Sequence, residues 1–236
     1  MDKRSNPWNK GLTKETNASV LKVSKTFKRK KLDNFKEWRD KMKKIGKIPS
    51  FYPPLNRDGD LAELIGVVLG DGHIESFPRT ESLTILSNGS NKGFIKRYVA
   101  LVKKLFNKTP YQGWHGGGSN CIRIRIYQKN ISKRLGIPCG NRSDLKINIP
   151  RWIIDNREYV KRYLRGLYEA EGSFCVHIPT YTYKFLFSNK NKNLLRNVYR
   201  TLKILGFHPH ESKYQIQISK KEEVYKAKEL IKFRKY

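Results

Sequence analysis

The sequence predicts an α+β fold of two pseudo-symmetric halves, and three observations carry the prediction. LIGVVLGDG at 64–72 returns as LRGLYEAEG at 164–172, one hundred residues later. After each copy, apolar residues recur at the helical period: Ile95, Tyr98, Val102 and Leu105 in the first half, Leu194, Val198, Leu202 and Leu205 in the second. Each half also holds strands whose side chains alternate between apolar and polar. The order in each half reads helix, two strands, helix, two strands, helix, giving αββαββα repeats over 61–140 and 157–236.

The chain has 236 residues, 38% of them hydrophobic, enough for real cores and against disorder throughout. Lys and Arg number 50 against 20 Asp and Glu, a formal charge of +30, and the excess runs the whole length. A field of that sign and size attracts polyanions, nucleic acid foremost; charge by itself also fits a sequence-blind binder.

Residues 1–50 read as a separate basic arm. NPWNKGLTKET is turn-rich, and the positions from about 18 to 46 suggest short basic helices with Val20, Val23, Phe27, Leu32, Phe35 and Trp38 as apolar points. FYPPLNRDGD at 51–60, with paired prolines, marks a linker.

In the first repeat, SLTILSN at 82–88 matches KFLFSN at 184–189. CIRIRIYQ puts Ile122, Ile124 and Ile126 on one face and Arg123, Arg125 and Tyr127 on the other; KYQIQIS sets Ile216 and Ile218 against Gln215 and Gln217. Such a polar strand face fits a solvated surface as well as DNA. Its occurrence in both repeats favours DNA, since a two-stranded ribbon enters the major groove, where Arg pairs with guanine and Gln with adenine. WHGGG at 114–118 has the look of an esterase oxyanion loop, but no GxSxG accompanies it, so a glycine hairpin turn is expected. An inter-repeat connection covers 141–156.

Cys121, Cys139 and Cys175 form no CxxC pair, and His208 and His210 lack partners at zinc spacing. No signal core opens the chain and no apolar run reaches the roughly 18 residues that cross a bilayer, so an intracellular protein without membrane attachment is expected. The compartment, whether cytoplasm, nucleoid or an organelle, is not readable.

Gly66 and Gly70 lie four residues apart, as do Gly166 and Ala170, so each pair shares a helix face. Glycine inside a helix costs about 0.5–1 kcal/mol relative to alanine, which close approach of another backbone would offset. If the two copies pack through these faces, Asp71 and Glu171 meet at the helix C-termini, where they repel each other and the helix dipoles. A divalent cation relieves that arrangement, and Mg²⁺ is the hard, oxygen-seeking choice, with Mn²⁺ as its substitute. A turn into a strand explains one Asp-Gly equally well; two copies at equivalent positions favour the metal.

The two motifs, their spacing and the strand and helix order after each resemble single-chain, two-repeat LAGLIDADG homing endonucleases over roughly residues 58–236. LGIPCGNRSDLKINIPRWI at 135–153 also resembles the segment before the second motif in that family. The resemblance implies four-stranded antiparallel sheets forming a saddle on double-stranded DNA with a long asymmetric site, bound by a monomer. It implies a metal centre at Asp71 and Glu171, with Gly70 and Ala170 beside them, where Mg²⁺ activates water and stabilises the leaving 3′ oxygen. Both strands would be hydrolysed with short 3′ overhangs, spreading a mobile intron. An intein-embedded nuclease is disfavoured, because the chain lacks a starting nucleophile and a terminal His-Asn.

A basic helper near the scissile phosphate is expected. Lys190 follows the strand of SNKNK, and Lys146 is expected on a strand of its own, opposite the Leu145, Ile147 and Ile149 face. For both lysines a phosphate contact and a catalytic role stay open. Asn88 matches Asn189, but Gly89 stands where the second repeat has Lys190, which makes the two sites unequal. Further DNA contacts are expected at Lys129, Lys184, Lys213, Ser219, Arg79 and Thr84. NPWNKGLTKET resembles the modular DNA-binding segments of homing nucleases, implying contacts from Trp8 and Lys10; a basic tail of nonspecific affinity is the other reading. A non-cleaving relative or a maturase acting on intron RNA is the competing function.

Overall fold

A computed structural model describes residues 7–33, 35–141 and 146–236, and the chain divides into two units, Met1–Tyr52 and Pro53–Tyr236.

In the first unit, Asn17 opens helix α1 (Ala18–Arg29), its side chain accepting from the amides of Ser19 at 2.9 Å and Val20 at 3.2 Å. Helix α2 (Lys36–Lys44) carries Glu37 in its first turn and three lysines in its last, the polarity a helix dipole favours. Neither helix buries a residue: Leu21, Val23, Phe27 and Trp38 all stay exposed.

The second unit opens on helix α3 (Gly59–Asp71), capped by the Asp58 carboxylate, which accepts from the Leu61 amide at 2.8 Å. Strands β1 (Gly72–Phe77) and β2 (Thr80–Asn88), helix α4 (Lys92–Phe106), strands β3 (Tyr111–Trp114) and β4 (Cys121–Gln128), and the short helices α5 (Ile131–Leu135) and α6 (Arg151–Ile154) follow. The second copy of the motif lies on helix α7 (Arg157–Glu171), capped by Asn156. Then come β5 (Gly172–His177), a 3₁₀ turn at Ile178–Thr180, β6 (Thr182–Ser188), α8 (Lys192–Ile204), β7 (His210–Ser212), β8 (Gln215–Ile218) and α9 (Lys221–Leu230). The αββαββα order thus occurs twice.

Each repeat makes one four-stranded antiparallel sheet, ordered β1-β2-β4-β3 and β5-β6-β8-β7. The alternation in the sequence decides the faces. Ile124, Ile126, Ile216, Ile218, Phe185 and Phe187 are buried with the helices, while Arg123, Arg125, Tyr127, Gln215 and Gln217 share the opposite face. WHGGG lies at the β3–β4 hairpin, with Gly117 and Gly118 at φ of 78° and 73°, a region L-residues avoid.

Helices α3 and α7 pack against each other at the centre, and α3 is buried from Leu61 through Leu69. A Cβ on Gly66 would stand 2.3 Å from the Tyr163 carbonyl oxygen, and one on Gly166 would stand 2.1 Å from that of Glu63. Neither side chain fits, so the paired glycines set the interhelical approach.

The strand expected around Lys146 is not there. Lys146–Pro150 has no regular structure, because the Ile147 backbone is claimed by a helix instead of a neighbouring strand. Its amide donates to Asn193 Oδ1 at 2.7 Å, and its carbonyl accepts from Asn197 Nδ2 at 2.6 Å, both on α8. Leu145, the first residue of the expected face, lies outside the described residues. Among the described residues no helix is long and apolar enough to cross a membrane.

Candidate nuclease centre and DNA-facing sheets

Both motif helices end on their acids, and the next residue, Gly72 or Gly172, begins a strand. The glycine face brings these ends together: a Cβ on Gly70 would lie 2.4 Å from the Ala170 Cβ and 3.2 Å from the Glu171 Cγ. Burial raises the Asp71 pKa to about 7, and the charge of Glu171 adds to the effect. Glu171 is also pushed up by burial, against a hydrogen bond from Asn189 Nδ2 to its Oε1 at 3.3 Å.

Two partly buried carboxylates whose proton affinity burial raises suit a divalent cation. Among the described residues no third His, Cys, Asp or Glu joins them, so the protein offers an incomplete shell. That fits Mg²⁺, which keeps waters and substrate phosphate oxygens in its octahedron. The Gly70 and Ala170 carbonyls adjoin the same corner by chain position.

The two halves of the centre differ. Asn189 reaches Glu171, whereas Asn88 Oδ1 accepts from the Ser90 amide at 2.9 Å and the Ser90 hydroxyl at 2.8 Å, turned into its own loop. Lys190 is exposed two residues beyond β6; Lys146 is exposed in the connection. A polar cavity of about 220 Å³ opens beside Gly70, with His73, Asn141, Asn189 and Asn191 in its wall. The sequence reading passed over His73 and Asn141. His73 could have been found from its place two residues past Asp71 on a strand, where alternation turns it to the polar face.

The register aligns one row across each polar face. In the first sheet it runs His73, Thr84, Arg125, Tyr111; in the second, Ser173, Leu186, Gln217, His210. Arg125 is held in place: its Nε donates to Thr84 Oγ1 at 2.8 Å, one terminal nitrogen donates to the Tyr127 hydroxyl at 3.2 Å, and its guanidinium lies 5.9 Å from the Tyr127 ring. Thr84 is itself buried, so in this state it braces Arg125 and offers no surface of its own. Arg123 Nη2 meets His115 Nδ1 at 2.9 Å. In the second sheet Leu186 replaces the threonine, and Gln217 donates to Ser219 Oγ at 2.6 Å. Lys184 shares that face opposite Cys175. Lys129, Lys213 and Arg79 are exposed in the turns around the sheets. Trp8 and Lys10 are exposed on the first unit.

The sequence reading also missed a buried ionic network behind the centre. Glu63, fully buried on α3, accepts from Arg97 Nε at 2.5 Å and Nη2 at 2.7 Å and from Arg162 Nε at 2.6 Å. Glu169 on α7 accepts from the Arg234 amide at 2.7 Å and from the Tyr236 hydroxyl. Burial raises the Glu169 pKa, while the bonds from Tyr236 and Arg234 and the nearby Arg165 oppose it.

Comparison with known proteins agrees with this architecture. Residues 158–236 match the family model of the LAGLIDADG-like domain. The fold is similar to the homing endonuclease I-WcaI bound to its DNA recognition sequence, with a TM-score of 0.55 at 16% identity over 85% of this chain and 89% of that one. It is similar to I-DmoI in complex with DNA and Mn, with a TM-score of 0.51 at 21% identity over 75% and 97%. The N-terminal LAGLIDADG domain of DUF199/WhiA shares it too, with a TM-score of 0.51 at 15% identity over 78% and 86%. Among curated proteins, the tRNA-splicing ligase RtcB of Pyrococcus furiosus is 27% identical over 128 residues, 49% of this chain and 13% of that protein. The Replication factor C small subunit of Methanocaldococcus jannaschii is 29% identical over 153 residues, 61% and 8%. The chain therefore spans only a small part of the curated relatives it matches. Its second repeat matches the LAGLIDADG-like domain, its first repeats the same elements, and the chain has the fold of the single-chain homing endonucleases.

Proposed function

We propose that this chain is a site-specific, divalent-metal-dependent endodeoxyribonuclease that spreads a mobile intron. The observation that carries the reading is the pair Asp71 and Glu171, brought together at the ends of two helices that glycines allow to touch, with a polar sheet face on each side. Fold does not carry it, since WhiA shares the fold.

Mg²⁺, or Mn²⁺ in its place, would be held by Asp71 and Glu171 with the neighbouring Gly70 and Ala170 carbonyls, supplying an activated water and charge stabilisation at the leaving oxygen. The chain's own groups do the rest. The sheet faces grip the duplex through Arg123, Arg125, Lys184 and Gln217, and Asn189 orients Glu171. Lys190 neutralises phosphate in the second half-site. One chain supplies both motifs, so a monomer suffices, and it works inside the cell where that DNA lies.

The test is incubation with Mg²⁺ and DNA spanning the intron-free insertion site. One double-strand break is expected, lost in Asp71→Asn/Glu171→Gln while binding remains; uncut DNA at saturating protein overturns the reading. If intron RNA is bound tightly and its splicing restored while DNA stays intact, the maturase reading replaces it.

A further inference from the structure

The helices behind the sheets carry a second cationic surface. On α8, Lys192, Arg196, Arg200 and Lys203 are exposed at spacings that keep them on one face. On α4, Lys92, Lys96 and Lys103 are exposed at the corresponding positions one hundred residues earlier. Neither helix contains an acidic residue, and none of these seven side chains has a carboxylate partner among the described residues. Other cations of this unit are paired, two of them on α4 itself: Arg97 with Glu63 and Lys104 with Asp60, and beyond it Arg162 with Glu63 and Lys235 with Glu229.

The other side of each helix settles which way the stripe faces. Phe94, Ile95, Tyr98, Leu101 and Val102, and likewise Leu194, Leu195, Val198 and Leu202, are buried in the core. The cations therefore point away from the sheets, on the side opposite Arg125 and Gln217. A duplex lying on the sheet faces cannot reach them. Like charges at i, i+4 repel, so the arrangement is unfavourable unless a polyanion neutralises it. The α8 stripe extends about 16 Å at 1.5 Å per residue. A DNA strand places roughly five phosphates along that length. A membrane surface is a poor fit, because the apolar faces of both helices are already spent on the core.

We propose that α4 and α8 form a second, sequence-independent site for the phosphate backbone of another duplex DNA segment, letting one molecule bridge two segments. The proposal rests on the reading that the sheet faces hold DNA.

The test uses the full chain on a bead-bound 40-bp duplex, followed by a fluorescent second duplex at about 100 mM salt. The wild type should retain the second duplex. Lys192→Gln/Arg196→Gln/Arg200→Gln/Lys203→Gln should retain at least tenfold less while binding the first duplex as before. Arg196→Gln/Arg200→Gln by itself should fall between, which keeps the test available if the fourfold variant melts early. A charge-matched control for that double variant, Lys226→Gln/Lys232→Gln at exposed positions of the C-terminal helix α9 and the turn after it, should bridge like the wild type. Equal loss in the control, or undiminished bridging in the fourfold variant, overturns the proposal. So does capture of an RNA hairpin in place of the DNA duplex. Failure to bind the first duplex overturns the DNA reading of the sheets as well.

Discussion

A side-chain carbon on Gly166 would stand 2.1 Å from the carbonyl oxygen of Glu63, a distance at which one helix must move. Gly166→Ala is therefore expected to force α3 and α7 apart and cost roughly 1–3 kcal/mol or more, with loss of cleavage. Gly116→Ala, in a turn with nothing within 4 Å, should stay within about 0.5 kcal/mol of the wild type. Urea unfolding midpoints measure both, and equal midpoints would refute the packing argument.

Asp71 gives the centre a pH dependence whose sign is fixed. Its pKa is raised from 3.8 to about 7, so between those values the folded state keeps a proton that the unfolded state has released. Stability then falls as pH rises through that window. In chelated, metal-free buffer Asp71→Asn should be more stable than the wild type by roughly 1–3 kcal/mol at pH 8, discounted from the full shift for partial solvation. The difference should shrink toward pH 4, and added Mg²⁺ should narrow it by binding the wild type. Thermal melts at pH 4, 6 and 8 decide it; a variant less stable at pH 8 contradicts the assignment.

Among the described residues Glu63 is the only counter-charge within 4.0 Å of Arg97, and it also meets Arg162 at the helix interface. Glu63→Gln leaves the Arg97 guanidinium uncompensated, while Arg162 keeps its bond to Asp60, and a loss of about 3–5 kcal/mol is expected. Restoring a carboxylate from outside is impossible at a residue with no exposure, so acetate should not rescue it. Chemical denaturation with and without acetate checks both halves of this expectation.

Thr84→Val keeps the shape of the buried site but removes the acceptor for Arg125 Nε. The arginine then loses one of its two fixing bonds, and roughly a tenfold loss of affinity is expected, with relaxed preference at the base pair that Arg125 meets. Selection from a randomised duplex library with the wild type and the variant measures it. An unchanged preference would mean that the brace has no part in recognition.

Much of this fold was legible because repetition left a mark in the chain. The offset between LIGVVLGDG and LRGLYEAEG, the helical period after each and the isoleucine alternation in CIRIRIYQ and KYQIQIS are local patterns, set by the geometry of helices and strands. They determined two αββαββα repeats, the polar sheet faces and the paired glycines. The segment at Lys146 misled for the opposite reason: alternation suggested a strand, but Asn193 and Asn197, nearly fifty residues away, took its backbone bonds.

What only the tertiary structure decided depends on partners distant in sequence. Nothing local to Glu63 says that Arg97 and Arg162 will surround it, or that Thr84 will hold Arg125 across a strand pair. The same holds for Asn189, which turns to Glu171 while Asn88 turns to Ser90. Periodicity specifies which side of an element is buried, whereas the proton affinity of Asp71 and the aim of Arg125 are set by the particular atoms that folding brings beside them.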